Sequence, residues 1–258
     1  TKRIQRMEEE LGCTLLHRRK RGVTFTAAGE RMLTYCREML HMEQELREDL
    51  NRSKGVVGGS LSILCSNSYS YYRLPMALKQ YRARCPQVRV QVTVGRSAAL
   101  YQQFLRREDC VAILRGEWAW GDGRAALASE PLCLVCSREN ESRPLRDYPY
   151  ISHATDDRAA ISQVERWAAE RELPIYNAGL VVNHISCCRE LVRLGLGWSI
   201  LPRTSVNGFD GTVQNLYFLD GEPLRRGTFL LYHSAYYALE QVRLFAKTLQ
   251  ETDRHLDA

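Results

Sequence analysis

The chain has 258 residues, 45% hydrophobic and 26% charged, an ordinary globular composition with enough length for one large domain or two smaller ones. Its formal net charge of +6 suits a polyanionic partner without demanding one. No apolar run reaches the length of a membrane span and no secretion signal opens the sequence. Most of the nine cysteines lie in apolar runs such as Ile63-Leu64-Cys65, where a thiol packs as a small hydrophobe. A reduced, cytoplasmic protein is expected, not a secreted or membrane-bound one.

Most of the positive charge sits at one end: residues 1–25 hold seven Lys and Arg against three Glu. Ile4, Met7 and Leu11 recur at helical spacing before Gly12, so residues 1–11 read as the back end of a helix already under way at Thr1. The basic run Arg18-Arg19-Lys20-Arg21, then Gly22 and the β-favouring Val23-Thr24-Phe25, reads as a short hairpin with cations at its tip. Thr26 can cap a following helix. That helix runs long through Leu33, Cys36, Leu40, Glu43, Leu46 or Arg47, and Leu50. Such a narrow apolar stripe usually pairs with another helix, although Glu43 interrupts the seam. Gly55-Val56-Val57-Gly58-Gly59 then supplies a flexible linker and the main domain boundary.

Beyond the linker the pattern becomes alternating α and β. Ser60–Cys65 predicts a strand, Leu74 to Tyr81 a helix with Pro75 in its first turn, and Val88, Val90, Val92 and Val94 the clearest strand in the chain. A helix through Leu100, Phe104 and Leu105 leads to Cys110–Leu114, an unbroken apolar strand of the parallel-sheet kind. The second half predicts strands at Leu132–Cys136, Gly179–Val182, Trp198–Leu201, Val213–Leu219 and Thr228–Tyr232. Helices through Trp167, Leu191 and Phe245 complete it. Open α/β sheets bind ligands beyond the carboxyl ends of their strands.

Three ordered motifs together resemble the LysR-type transcriptional regulators. The first is Thr1-Lys-Arg-Ile-Gln-Arg-Met-Glu-Glu-Glu-Leu-Gly12, with Leu15-Leu16, Arg18 and Thr24-Phe25-Thr26-Ala-Ala-Gly29. It looks like that family's end of the recognition helix, its wing and the start of its linker helix. The second is Leu74-Pro75 with Tyr81, Pro86, Val88 and Val111-Ala112-Ile113. The third is Leu191-Val192-Arg-Leu194-Gly195-Leu196-Gly197-Trp-Ser-Ile-Leu201-Pro202. Cys110 stands where the family usually has Asp, and the family's earlier helices of the winged helix-turn-helix have no counterpart before Thr1.

The resemblance implies an α/β fold: a two-subdomain, periplasmic-binding-protein-like (type 2) effector domain behind a long linker helix and a winged-helix remnant. The expected division is 1–25 for the remnant of the DNA-binding domain, 26–58 for the dimerisation helix and hinge, and 59–258 for the effector domain. Within the last, the first subdomain takes about 59–128 and 227–258 and the second about 129–226. It further implies an effector-responsive DNA-binding regulator with a small molecule in the inter-subdomain cleft, assembling as a homodimer or homotetramer and meeting RNA polymerase. A solute-binding protein of the same sensor fold, without DNA, is the alternative.

For DNA the candidates are Lys2, Arg3, Arg6, Arg18, Arg19, Lys20 and Arg21, which would add affinity through phosphate contacts; a solvated charge run is the bland reading. For the effector they are Ser66, Asn67, Ser68, Ser97 and Arg115 at one sheet edge, where the resemblance places the cleft and implies that His153, Asn183, His184 and Ser186 face them. An ordinary helix-capping role competes for Ser66 to Ser68. Arg96 and Arg115 tilt the effector towards negative charge. No cofactor is expected. Cys133-x-x-Cys136 is not a metal pair, since i and i+3 on a strand face opposite ways. Cys187-Cys188 reads as two buried packing residues before a redox pair. Tyr69, Tyr71 and Tyr72 either line a pocket or pack the subdomain. No nucleophile, base and oxyanion site come together, so an enzyme is not expected.

Overall fold

The computed structural model describes residues 2–19, 22–52, 57–175 and 179–257. The chain divides into two compact units, Thr1–Gly59 and Ser60–Ala258.

In the first unit α1 (Lys2–Leu11) leads into a hairpin of β1 (Leu16–Arg19) and β2 (Gly22–Phe25), and then into α2 (Ala27–Arg52). The hairpin pairs Leu16 with Phe25 and Arg19 with Gly22. The Glu8 carboxylate joins α1 to it, accepting from the amides of Leu15 at 2.7 Å and Leu16 at 3.0 Å. Those two amides, with Arg18 nearby, hold the Glu8 carboxyl below its usual range. Thr26 Oγ1 accepts from the Gly29 amide at 3.0 Å and donates to the Thr14 carbonyl, so it caps α2 without a capping box. Gly29 itself is sterically required, because a Cβ there would lie 2.1 Å from the Leu15 carbonyl oxygen.

The second unit opens as β3 (Ser60–Ser66), α3 (Asn67–Tyr72), α4 (Leu74–Arg84), β4 (Arg89–Gly95), α5 (Ser97–Phe104) and β5 (Val111–Arg115). Both β4 and β5 run parallel to β3. The chain then enters β6 (Gly123–Ser137), a strand of 15 residues that belongs to two sheets. Its first half pairs with β11 (Arg225–Tyr232), which closes the first sheet antiparallel to β5. Its second half pairs with β9 (Ser199–Pro202) and β10 (Gly211–Asn215). Between them lie the parallel pair β7 (Ile151–His153) and β8 (Leu180–Val182), with α6 (Arg158–Ala169) and α7 (Ile185–Arg193). After β11 come the short α8 (Ser234–Tyr237) and α9 (Glu240–Asp257), which returns to α4, where Tyr81 and Phe245 meet edge to face at 5.3 Å.

The second unit is thus a two-lobed α/β domain whose lobes are joined by β6 on the way out and β11 on the way back. The core of the first lobe places Leu100 and Phe104 of α5 against Leu64, Ala112 and Leu114. The second lobe has two clusters, one on each side of its sheet, and β6 supplies alternate residues to them. Leu132, Leu134 and Cys136 enter one and Cys133 and Val135 the other. Cys133 and Cys136 therefore pack on opposite faces. The valines of β4 alternate, but β4 is an edge strand and Val94 stays exposed. The strand expected over Val213–Leu219 ends at Asn215, and the chain turns at a bridge between Tyr217 and Pro223.

Candidate functional site

Four helices of the second unit begin around one cleft. α3 and α5 open directly after β3 and β4 in the first lobe, and α6 and α7 after β7 and β8 in the second. A parallel strand followed at once by a helix aims the helix's unpaired amides at the strand's carboxyl end, which suits an anion. Ser66, Asn67, Ser68, Ser97 and Arg115 line this cleft from the first lobe, and His153, Asn183, His184 and Ser186 from the second. The nine residues singled out in the sequence thus share one cavity of about 70 Å³.

The cleft's electrostatics come from three arginines, only one of them engaged in a solvent-exposed pair. Arg96 reaches across to Asp156 with a bidentate pair at 2.5 and 3.1 Å, and its side chain stays half exposed. Arg226, on the returning strand, is buried and donates to Asp157 at 2.8 Å and to Thr155 at 3.0 Å. Asp157 also caps α6 through the Ala160 amide. Gly116 sits beside it with a left-handed φ of +82°, and a Cβ there would lie 2.8 Å from Asp157 Oδ1. Any side chain at 116 would displace this cap.

Arg115 is only 1% exposed, unlike an ordinary strand-end arginine. Its Nη1 donates to Glu130 Oε1, while Glu130 Oε2 accepts from the amide and hydroxyl of Thr204. Glu130 lies on β6 opposite Arg226, where the two lobes meet. Burial pushes its pKa up, but the charge of Arg115 and the Thr204 hydroxyl outweigh that and leave it lowered. Among the described residues, Arg115 Nε and Nη2 and Ser66 Oγ are buried without a hydrogen-bond partner. Ser66 stands at the N-cap position of α3 but its hydroxyl makes no cap bond. The capping explanation therefore does not account for this side chain.

His153 is the cleft's titratable neutral group. Burial first, then the charges of Arg226, His184, Arg115 and Arg96, push it down to about 4. It is an uncharged imidazole at neutral pH. The tyrosines divide: Tyr69 is buried and donates to Asp253, whereas Tyr71 and Tyr72 line the cleft in edge contact. The cysteines divide too, which corrects the expectation of two packing residues. Cys188 is buried and donates to Ser199 Oγ, its thiol held up to about 11 by burial, but Cys187 is exposed. Among the described residues no group of three or more His, Cys, Asp or Glu is placed to hold a metal ion. The sequence reading missed Arg226, Thr155, Asp156 and Asp157. The only local signal was the Arg225-Arg226 pair at the start of an otherwise apolar strand.

The basic segment lies in the first unit. Lys2, Arg3 and Arg6 are exposed on α1, and Arg6 also pairs with Glu10 at 2.9 Å. Arg18 points towards Glu8 at 3.4 Å, and Arg19 ends β1. Lys20 and Arg21, expected at the hairpin tip, lie outside the described residues.

Residues 54–254 match the LysR substrate binding domain, and residues 1–30 match the bacterial regulatory helix-turn-helix protein, lysR family. The chain belongs to the LysR family. Among curated relatives of this LysR-family chain, the uncharacterized HTH-type transcriptional regulator YraN of Bacillus subtilis is 29% identical over 254 residues, covering 97% of this chain and 86% of YraN. The HTH-type transcriptional activator IlvY of Salmonella typhimurium is 27% identical over 226 residues, covering 83% and 76%. Among solved structures, the LysR family transcriptional regulator CbnR aligns with a TM-score of 0.60 at 20% identity, covering 96% of this chain and 88% of CbnR. A full-length AphB variant aligns at 0.65 and 18%, covering 96% and 87%. The two-lobed unit is thus the family's periplasmic-binding-protein-like effector domain, and the chain is a LysR-family transcriptional regulator with a helix-turn-helix segment at residues 1–30. Members of this family are regulators, not enzymes. No helix among the described residues is long and apolar enough to cross a membrane.

Proposed function

We propose that this regulator holds a small anionic effector in the cleft between its lobes and contacts duplex DNA through Lys2, Arg3, Arg6 and the basic run from Arg18 to Arg21. It acts by binding and not by catalysis, in the cytoplasm, as a dimer or tetramer. Contact with RNA polymerase is part of this reading and rests on family membership.

One observation carries the effector assignment: buried donors of Arg115 and Ser66 line the cleft with nothing to donate to among the described residues. A buried donor left unsatisfied costs roughly 1–3 kcal/mol, and a bound oxyanion removes that cost. The DNA assignment rests on the charge of residues 1–25 and on the helix-turn-helix match over residues 1–30.

The DNA half is tested by titrating duplexes of different sequence at several salt concentrations. Replacing Arg19→Ala together with Lys20→Ala weakens binding to all of them alike and lowers the salt slope by about one to two, near 0.9 for each phosphate that is no longer neutralised. An unchanged affinity and slope would remove the hairpin from the interface.

A further inference from the structure

A second cavity lies between α6 and the second lobe's sheet, with Arg226 of β11 also in its wall. Its volume is about 230 Å³, some three times that of the cleft, and its walls include Leu132, Val164, Ile175 and Ile200. At roughly 30 Å³ per water-sized group, the cleft has room for about two such groups and this cavity for about seven. The two spaces are neighbours, because His153, Thr155 and Arg226 line both.

A chain reaching from one space into the other would run along these three side chains. His153 is uncharged at neutral pH, and Arg226 is already committed to Asp157 and Thr155. The cavity beyond has no free cation to offer among its described lining residues. Its one acid, Glu165, disfavours a second negative charge. The cationic, donor-rich part of the site is therefore the small part, and the roomy part joins an apolar stretch of Leu132, Ile161, Val164, Ile175 and Ile200 to the polar groups of Tyr150, Ser152 and Glu165.

From this arrangement we infer that the effector is an amphiphilic monocarboxylate: its carboxylate sits on Arg115 and Ser66 in the cleft, and an apolar body of about seven heavy atoms passes His153 into the second-lobe cavity. The inference rests on the cleft being the effector site, and it adds the chemical class and the second compartment. A carboxylate matches the planar donor fork that Arg115 presents beside its bond to Glu130. The apolar body supplies most of the affinity, since each methylene removed from water strengthens binding about fourfold.

The test is calorimetric titration of the purified protein with straight-chain monocarboxylates from butanoate to octanoate, with adipate and inorganic phosphate alongside. The dissociation constant is expected to fall about two- to fourfold with each added methylene, and hexanoate to bind at least tenfold more tightly than adipate. Ile161→Trp, at an exposed position of α6 that lines the cavity, should abolish the length dependence by weakening octanoate far more than butanoate. Ser66→Ala should weaken every monocarboxylate by a similar factor. An affinity independent of chain length, or a length dependence that survives Ile161→Trp, overturns the second compartment and leaves the anion cleft standing. Phosphate binding without any carboxylate binding, or adipate equal to hexanoate, overturns the monocarboxylate class. Binding of no anion at all defeats the cleft assignment as well.

Discussion

His153 shows how a single side chain ties the cleft's charge to the protein's pH response. Its folded pKa of about 4 lies well below the ordinary histidine value of 6.5. As pH falls through 6.5 the unfolded chain takes up a proton that the native state refuses. The stability contributed by neutral His153 is full above about pH 6.5 and is lost as pH falls from there towards 4. The maximum effect is about 3 kcal/mol. In His153→Gln, which keeps the size and polarity without titrating, the melting temperature should fall less steeply between pH 6.5 and 4.5 than in the parent. Identical slopes for the two proteins would mean that neither burial nor the cations of the cleft lower the pKa of His153. The groups that set its environment are Arg226 from β11, His184 at the start of α7, and Arg96 and Arg115 at the ends of β4 and β5. Asp156 and Asp157 are already engaged by Arg96 and Arg226.

At the scale of elements, periodicity made most of the fold legible. The apolar run at 110–114 announced a central strand, the alternation at 88–94 a strand, and Thr26 the start of a long helix. The cleft residues could be named because strands that pass directly into helices leave their carboxyl ends open and because the resemblance to the LysR-type regulators put the cleft at that edge. What stayed illegible were pairings across long separations. Nothing local reveals that Arg226 meets Asp157, 69 residues away, or that one carboxylate, Glu130, serves both lobes through Arg115 and Thr204. Nor did sequence alone show that β6 is one strand in two sheets.

The long helix α2 (Ala27–Arg52) shows a second apolar stripe beside the one through Leu40 and Glu43. Beside the exposed Leu40, the exposed apolar residues Tyr35, Met39, Met42 and Leu46 fall at spacings of four, three and four. That is a heptad-like stripe with no charge in it, on a helix about 39 Å long. If the proposed dimer forms through α2, this stripe is where the second copy would lie. Met39→Glu with Met42→Glu places charges in that seam, and light scattering should then report a shift towards monomer while the circular dichroism of the effector domain is retained. A mass unchanged from the parent's would show that this stripe is not where the copies meet.

For the whole effector domain, the decisive feature is that two strands, β6 and β11, carry the chain between lobes whose facing surfaces are already tied by charge. The ties differ in kind. Arg115 to Glu130 and Arg226 to Asp157 are buried, so removing one partner strands a charge and costs several kcal/mol. Arg96 to Asp156 is solvent-exposed on the arginine side and contributes about 1 kcal/mol or less to global stability. It is nevertheless the bond that spans the mouth of the cleft, from the N-cap of α5 to the loop before α6. Losing it should therefore loosen the cleft without unfolding the domain. Arg96→Ala is expected to lower the melting temperature by no more than about 3 °C, while amide hydrogen exchange accelerates in residues 154–157 and stays unchanged in β3 and β5. A large fall in melting temperature would make Arg96 a structural residue. Unchanged exchange at 154–157 would mean that the buried pairs alone hold the lobes, and that an effector entering the cleft does not need to break the Arg96 tie.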